Sequence, residues 1–214
     1  MKESIISVRN VSKKFAEQFV LKNISIEFCK GNIYGLIGRN GSGKTVLLKT
    51  ICGFVIPTEG EVYVWNRRVG RDEDFPDSLG FIIESPGFLP MDSGLKNLRY
   101  LASIKKKAGE ERIRECMNLV GLDPNSRKPV GKYSLGMRQR LGIAQAFMED
   151  PEILILDEPM NGLDNHGVED IRALLLRLKD EGKTIVVASH SAEDIDILCD
   201  IVYEMEAGVI HTVR

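Results

Sequence analysis

The segment from Gly38 to Thr45, Gly-Arg-Asn-Gly-Ser-Gly-Lys-Thr, constrains the fold more than any other stretch of the chain. It follows a short apolar run at residues 33–37 and precedes apolar residues at helical spacing over residues 46–52, which predicts a strand, a loop and a helix in succession. The glycines let the loop bend tightly, so that its N–H groups and the positive end of the helix point at one anion. The pattern therefore predicts a phosphate-binding loop. A glycine-rich turn that only caps the helix is the alternative.

The residues of this loop form the predicted binding site for a nucleotide. Lys44 is expected to reach the terminal phosphates, and Thr45 to offer its hydroxyl to Mg²⁺. The remaining residues that we expect to contact phosphate are Gly38, Arg39, Asn40, Gly41, Ser42 and Gly43.

Two acidic residues, Asp157 and Glu158, follow the apolar run at residues 153–156. Such a run predicts a buried parallel strand, and ligands of open α/β sheets lie at the carboxyl ends of these strands. Asp157 can hold Mg²⁺ directly or through water, and Glu158 can polarise an attacking water. Acidic residues often end strands without any such role. In combination with the loop at Gly38, however, they predict phosphoryl-transfer chemistry.

The overall composition narrows the class of protein. A chain of 214 residues can bury one sizeable core, and its net charge of -2 gives no electrostatic footprint for nucleic acid. The four cysteines lack metal-ligand spacing, which indicates reduced core residues in a cytosolic protein. We find neither a secretory signal nor an apolar run long enough to span a bilayer, so we expect any membrane role to depend on a partner.

The order of apolar patterns predicts a single α/β domain over residues 1–214. Residues 1–85 and 149–214 are expected to form a core with a mostly parallel sheet, together with an antiparallel β-subdomain near the N-terminus. Residues 86–148 are expected to form an inserted helical subdomain. The predicted strands cover residues 5–8, 25–28, 33–37, 61–65, 80–83, 153–156 and 184–188, followed by a closing hairpin at 201–205 and 209–213.

Three further motifs complete a pattern that resembles a known family. They are Tyr-Ser-Leu-Gly-Met-Arg-Gln-Arg at 133–140, Asn-Gly-Leu-Asp at 161–164 and Ser-His at 189–190. In order and spacing, over nearly the whole chain, they resemble the signature, the loop after the Mg²⁺ strand and the switch histidine of the ATP-binding cassette (ABC) ATPases. The resemblance implies a P-loop NTPase core that binds ATP and Mg²⁺.

The resemblance also implies roles for individual residues. Ser134 and Gly136 would face the γ-phosphate bound by a second copy, so that two nucleotides lie between two cassettes. His190 would contact the γ-phosphate beside the catalytic Glu158, and Phe15 would stack on adenine. From the residues alone, Ser134 is equally an ordinary helix cap, His190 a core histidine and Phe15 a strand-edge ring that covers the core. His166 and His211 are expected to be surface residues.

The sequence departs from the family pattern at three places. Glu84 stands where the family commonly has glutamine, and a bare carboxylate about 4 Å from one phosphate charge would cost about 4 kcal/mol at an effective dielectric of 20. We therefore expect Glu84 to bind Mg²⁺, to be protonated or to turn away. Leu135 and Met137 replace the first glycine and the glutamine of the signature. The chain ends soon after the last hairpin, so no regulatory C-terminal domain is expected.

The resemblance implies an ATP-hydrolysing subunit of a membrane transporter, with one cassette per chain. It would work as a pair on separate transmembrane permease subunits, at the cytoplasmic face of the membrane and without nucleic acid. The signature is similar to those of bacterial peptide-antibiotic and multidrug exporters, which favours export. In the family the region at 86–101 receives the membrane subunit, and Phe88, Leu89 and Met91 are candidates for that contact. Core packing is their alternative role.

Two other functions share the phosphate loop. A soluble ABC-type ATPase that acts on DNA or ribosomes would show long coiled-coil insertions, a second cassette or a basic face, and the sequence displays none of these. A kinase would need an acceptor site and a lid, and would leave residues 134–140 unexplained.

Overall fold

Strand β3, Ile33–Ile37, lies inside a six-stranded sheet and leads into the phosphate loop. The computed structural model describes residues 3–84 and 87–214. The order of strands in this sheet is β10-β9-β3-β8-β7-β6, and neighbouring strands are parallel except at the closing hairpin of β9 and β10. The other strands are β6 Leu79–Ile82, β7 Ile153–Asp157, β8 Thr184–Ala188, β9 Ile201–Glu206 and β10 Val209–Thr212. The mostly parallel sheet is therefore confirmed.

A second, antiparallel sheet has the order β2-β1-β4-β5. Its strands are β1 Ser4–Phe15, β2 Gln18–Cys29, β4 Glu59–Val64 and β5 Arg67–Arg68. The predicted β-subdomain is thus present, but β1 and β2 are much longer than the predicted strands at 5–8 and 25–28. The reason is that both strands are irregular: the register shifts between Val8 and Val11, and Asn10 and Asn23 have positive φ. Such bulges interrupt the alternation of polar and apolar residues on which the prediction depended.

Six α-helices complete the described part of the chain. They are α1 Lys44–Ile51, α2 Gly94–Lys105, α3 Glu110–Leu119, α4 Leu135–Phe147, α5 Asn165–Asp180 and α6 Ala192–Leu198. Side chains at four of the N-caps, Ser93, Ser134, Asp164 and Ser191, accept a hydrogen bond from a backbone N–H three residues further on. Helices α2 to α4 form the predicted helical insertion between β6 and β7.

The helical insertion packs directly on the large sheet. One buried cluster joins Leu98, Met117 and Ile143 of these helices to Leu154 and Leu156 of β7. Strand β6 and helix α4 approach so closely that a Cβ on Gly80 would lie 1.8 Å from the carbonyl oxygen of Ala146. The second cluster covers the other face of the sheet, with side chains from α1 and the antiparallel sheet. The division at residues 85 and 86 remains a prediction, since Ser85 and Pro86 lie outside the described residues, as do Met1 and Lys2.

Several smaller expectations can be compared with the structure. All four cysteines are free thiols, and Cys52, Cys116 and Cys199 are buried, as predicted for core residues. His166 and His211 are exposed, also as predicted. None of the described helices combines the length and the apolar character that crossing a membrane requires.

The three apolar candidates after β6 divide into two groups. Phe88 is half-buried and packs against the core, so core packing is its role here. Leu89 and Met91 are 53% and 86% exposed.

Candidate nucleotide-binding site

The phosphate loop between β3 and α1 depends on glycine backbone conformations. Gly38, Gly41 and Gly43 have φ values of 140°, 80° and 110°, a region that side chains with a Cβ rarely adopt. Space is limiting as well, because a Cβ on Gly38 would lie 2.2 Å from the carbonyl oxygen of Met205. The sequence pattern thus corresponds to a loop that only glycine can form at these positions.

Lys44 lies at the centre of this loop. Its side chain is buried, and its ammonium donates hydrogen bonds to the carbonyl oxygens of Gly38 at 2.6 Å and Arg39 at 3.3 Å. An ammonium has three donors, so one remains for a phosphate oxygen. The backbone of the loop therefore fixes a positive charge where the predicted terminal phosphates would lie.

Thr45 and Asp157 meet beside the loop, although they are far apart in the sequence. The Thr45 hydroxyl donates a hydrogen bond of 2.8 Å to Oδ2 of Asp157, which ends β7. Burial raises the pKa of the Asp157 carboxyl, and the charge of Glu84 adds to this effect. The Thr45 hydrogen bond and the charge of Lys44 oppose it. A nearby cation would offset the cost of this half-buried carboxylate.

The donor atoms of this pair fit Mg²⁺. Hydroxyl and carboxylate oxygens are the ligands that Mg²⁺ prefers, and proteins often hold it with one or two carboxylates together with substrate phosphates. Over residues 3–84 and 87–214 we find no group of three His, Cys, Asp or Glu side chains able to hold a metal ion. The pair is therefore suited to a site that phosphate oxygens complete.

Glu158 and His190 form a second polar pair at the same edge of the sheet. Nδ1 of His190 lies 2.8 Å from Oε2 of Glu158, and the N–H of Glu158 donates to the carbonyl oxygen of Ala188 at 2.9 Å. The His190 side chain is 72% exposed, so the core-histidine alternative is wrong. Glu158 has a φ of 50°, a left-handed conformation that is uncommon outside glycine. The arrangement holds a carboxylate oriented by an imidazole next to the phosphate loop.

Glu158 borders a cavity of about 310 Å³, whereas His190 lines a different cavity of about 750 Å³. The lining of the smaller cavity consists of Val20, Asn40, Gly41, Ser42, Gly43, Lys44, Thr45, Val46, Asp157 and Glu158. The buried Oγ of Ser42 has no hydrogen-bond partner among the described residues. The structure thus brings residues 40–45 of the predicted phosphate loop, Asp157 and Glu158 into one site, whereas Gly38 and Arg39 line the other cavity together with His190.

Ser134 and Gly136 lie elsewhere. They border a cavity of about 700 Å³ whose lining shares no residue with that of the phosphate-loop cavity. Oγ of Ser134 accepts from the N–H of Met137 at 3.1 Å, which makes it the cap of α4. A Cβ on Gly136 would lie 2.7 Å from the carbonyl oxygen of Gly162, so the start of α4 packs tightly on the loop that follows β7.

Glu84 and Phe15 are also outside the phosphate-loop cavity. Glu84 forms an ion pair with Lys49, with 2.7 Å between Oε1 and Nζ, and its side chain is 64% exposed. Its charge is therefore compensated by a lysine of α1. Phe15 is the last residue of β1 and 47% exposed, which disfavours the alternative of a ring that covers the core. The ammonium of Lys13 lies 5.0 Å from the centroid of the Phe15 ring.

Sequence reasoning missed Val20 and Val46, which line the cavity, and Gln139, which acts on it through the backbone of Glu158. Val20 lines the cavity from β2, and nothing in its sequence context distinguishes it from other strand residues. Gln139 is buried in α4, and its Nε2 donates to the carbonyl oxygens of Glu158 and Pro159 at 3.1 Å each. A signal for Gln139 did exist. It precedes Ile143 by four residues and Ala146 by seven, which places a polar side chain on the apolar face of a helix.

Comparisons with known proteins agree with this geometry. A family model described as "ABC transporter" matches residues 21–161. The uncharacterized ABC transporter ATP-binding protein YybJ of Bacillus subtilis is 46% identical over 97% of this chain and 95% of its own length. The bacitracin transport ATP-binding protein BcrA of Enterococcus faecalis is 39% identical over 96% of this chain and 68% of its own length.

One similar solved structure contains ADP and Pi. It is a dimeric structure of a post-hydrolysis state of the ATP-binding cassette MJ0796 bound to ADP and Pi. That structure matches with a TM-score of 0.87 and 26% identity over 98% of this chain and 99% of the other. The resemblance stated from the motifs is thereby confirmed, and with it the assignment of the chain as an ATPase cassette. The chain belongs to the ABC transporter family.

Proposed function

We propose that this chain is the ATPase subunit of an exporter, and that two copies work together on separately encoded transmembrane subunits at the cytoplasmic face of the membrane. The observation that carries the proposal is the separation of Ser134 from Lys44 into two cavities without a common lining residue. If Ser134 acts on a nucleotide, that nucleotide is bound by a second copy. The name of the bacitracin transport relative supports transport, and the likeness of the signature to those of exporters favours export.

In this proposal the phosphate loop binds the triphosphate of ATP. Lys44 contacts the terminal phosphates with the N–H donor that the loop carbonyl oxygens leave free. Phe15 stacks on the adenine through its exposed ring, a contact that needs only an accessible aromatic face. Thr45 and Asp157 would hold Mg²⁺, which would supply positive charge beside the phosphates.

Glu158 is the general base of the proposed mechanism. Its carboxylate orients a water and accepts a proton from it, while His190 holds the carboxylate through the 2.8 Å contact and approaches the terminal phosphate. Glu84 pairs with Lys49 and would help to hold Mg²⁺ if it left this partner, and either contact would compensate its charge beside phosphate.

ATP acts as the switch between separate and paired cassettes. A shift from 1:99 to 99:1 requires that ATP favour the paired state by about 5.5 kcal/mol. Contacts of Ser134 and Gly136 with a phosphate, in an interface that excludes water, would contribute to this difference. Leu89 and Met91 are exposed next to the helical insertion and are the proposed contacts with the transmembrane subunit.

Trapping the paired state tests the cassette mechanism. Glu158→Gln keeps the size of the side chain but removes the base, so we expect it to bind ATP, to accumulate as a dimer in size-exclusion chromatography and to lose phosphate release. Ser134→Ala in the same background should reduce the dimer. Ser93→Ala is the matched control, because Ser93 caps α2 in the same way as Ser134 caps α4. A strictly monomeric ATP complex of Glu158→Gln would contradict the proposal.

Co-purification tests the transporter assignment. A tagged chain is isolated from detergent-solubilised membranes of the source cells, and its partners are identified by mass spectrometry. We expect polypeptides with several membrane spans, and Leu89→Ser together with Met91→Ser should reduce their recovery. Recovery with ribosomes or DNA instead would favour the soluble ABC-type ATPase.

A further inference from the structure

We propose that Gln139 is a positioning residue for Glu158, and that its buried amide sets the orientation of the catalytic carboxylate. The proposal builds on the assignment of Glu158 as the base. Gln139 contributes no atom to the lining of the phosphate-loop cavity and acts through the backbone of Glu158.

The amide donors of Gln139 match two backbone acceptors. Nε2 of Gln139 carries two N–H donors and lies 3.1 Å from each of two consecutive carbonyl oxygens, those of Glu158 and Pro159. The Gln139 side chain is buried, where an unpaired donor or acceptor is costly. One side chain therefore fixes the direction of two peptide groups immediately after the catalytic residue.

Gln139 also supports an uncommon backbone conformation at Glu158. Glu158 has a φ of 50°, and a residue with a Cβ keeps such a conformation only where its surroundings impose it. On the N-terminal side, the N–H of Glu158 donates to the carbonyl oxygen of Ala188 at 2.9 Å. On the C-terminal side, its carbonyl oxygen accepts from Gln139 and from the N–H of Asn161. Of these contacts, the one from Gln139 is the only one made by a side chain.

This backbone conformation determines where the carboxylate of Glu158 lies. The left-handed turn directs the Glu158 side chain to His190, with 2.8 Å between Oε2 and Nδ1. Without the amide of Gln139, the two carbonyl groups would each lose a partner, and the Glu158 carbonyl oxygen would keep only the N–H of Asn161, so the peptide after Glu158 would be held less firmly. The carboxylate would then leave its position beside His190 more often, and a displacement of about 1 Å is enough to reduce catalysis by about 100-fold.

The test is Gln139→Met, which keeps the length of the side chain and removes both donors. We expect kcat for phosphate release to fall about 10- to 100-fold, while the dissociation constant for a fluorescent ATP analogue changes less than about twofold. The matched control is Gln145→Met, which lies in the same helix and lines a different cavity, bordered by Asp77 to Phe81. This control should retain wild-type kcat. A merely structural role of Gln139 would weaken binding and turnover together.

A double variant separates this proposal from the assignment of Glu158. In the Glu158→Gln background, Gln139→Met should cause no further loss of residual hydrolysis, because the residue that it positions is already inactive. If Glu158→Gln alone retains full hydrolysis, the assignment of the base fails. If Glu158→Gln is inactive but Gln139→Met has wild-type kcat, or loses binding in proportion, only the positioning role fails.

Folding is checked by thermal unfolding of each variant. Should Gln139→Met not fold, Gln139→Leu takes its place with the same measurements, since leucine is of similar size, is tolerated in a buried position and lacks both donors. If neither variant folds, Gln139 is a core residue required for the fold, and the positioning role is refuted.

Discussion

Replacement of Thr45 by valine isolates the contact between α1 and β7 on which the proposed Mg²⁺ site depends. The two side chains have the same shape, but valine cannot donate the 2.8 Å hydrogen bond to Oδ2 of Asp157. We expect the ligand-free protein to lose stability at neutral and alkaline pH, since a half-buried carboxylate would then lack its donor. We also expect the loss to shrink towards acid pH.

The size of this effect follows from the exposure of Asp157. A buried acceptor that loses its partner costs about 1–3 kcal/mol, and the partial exposure of Asp157 places the cost near the lower end, at about 1 kcal/mol. For a domain of this size, that corresponds to a fall in Tm of about 2–4 °C.

The sign of the pH dependence follows from linkage. Burial, the largest cause, raises the pKa of Asp157 above its unfolded value, so the folded state holds this proton more tightly than the unfolded state. The contribution of Asp157 to stability is therefore fully present below the unfolded pKa and is lost as pH rises through the folded pKa. The Thr45 hydrogen bond lowers that pKa, so Thr45→Val raises it further. Wild type and variant differ most where Asp157 is ionised in both.

The assay is urea unfolding with EDTA at several pH values, from about pH 8 down to about pH 4, close to the ordinary pKa of an aspartate. Thr50→Val is the matched control, because the hydroxyl of Thr50 donates to the carbonyl oxygen of Val46 in the same helix, where no carboxylate is involved. Its effect should not depend on pH. Thr45→Val should also add little to Asp157→Asn. A loss of stability that is equal at all pH values, or additive with Asp157→Asn, would refute this reasoning.

Three further changes test other parts of the structure. Glu84→Gln breaks the exposed ion pair with Lys49 and should change the free energy of unfolding by less than about 1 kcal/mol, while altering the Mg²⁺ dependence of ATPase activity. An unchanged Mg²⁺ dependence and rate would count against a metal-linked role of Glu84. Phe15→Ala should weaken ATP binding by about 1–3 kcal/mol in equilibrium titrations, and Phe15→Trp should restore it; equal affinities of all three proteins would exclude stacking. Gly80→Ala should lower the free energy of unfolding by more than about 2 kcal/mol, because the added Cβ would lie 1.8 Å from the carbonyl oxygen of Ala146. Wild-type stability in urea unfolding would mean that β6 and α4 separate easily.

The parts of the fold that the sequence predicted well are those in which one local pattern determines the structure. The predicted bounds of β3 and β8 coincide with the observed strands, since both are continuous apolar runs between polar turns. The phosphate loop could be predicted equally well, because its glycines and Lys44 lie in one short segment of the chain. In β1, by contrast, the bulge at Asn10 disrupts the alternation of polar and apolar residues. The strand continues beyond the bulge because β1 pairs there with β2 and β4.

The contacts that sequence reasoning could not predict join residues distant in the chain. Glu84 was identified as a departure, but its partner Lys49 is 35 positions earlier, and no local pattern relates the two. Gln139 is 19 positions from Glu158, and its hydrogen bonds go to backbone carbonyl groups, which every residue possesses. Side chain to backbone contacts of this kind leave no trace in the identity of the acceptor residue.

Helix α4 links the two proposals and also shows why they can be separated. Ser134 caps the helix and Gln139 lies five residues further on, about 7.5 Å along the axis at 1.5 Å per residue. Between them, Gly136 packs so closely on Gly162 that the helix and the loop after β7 have little room to move independently. A displacement of the whole helix would therefore affect both sites. Single substitutions should not: Ser134 faces a cavity away from its own phosphate loop, so its loss impairs pairing, whereas Gln139 holds the Glu158 of the same chain, so its loss impairs hydrolysis after pairing.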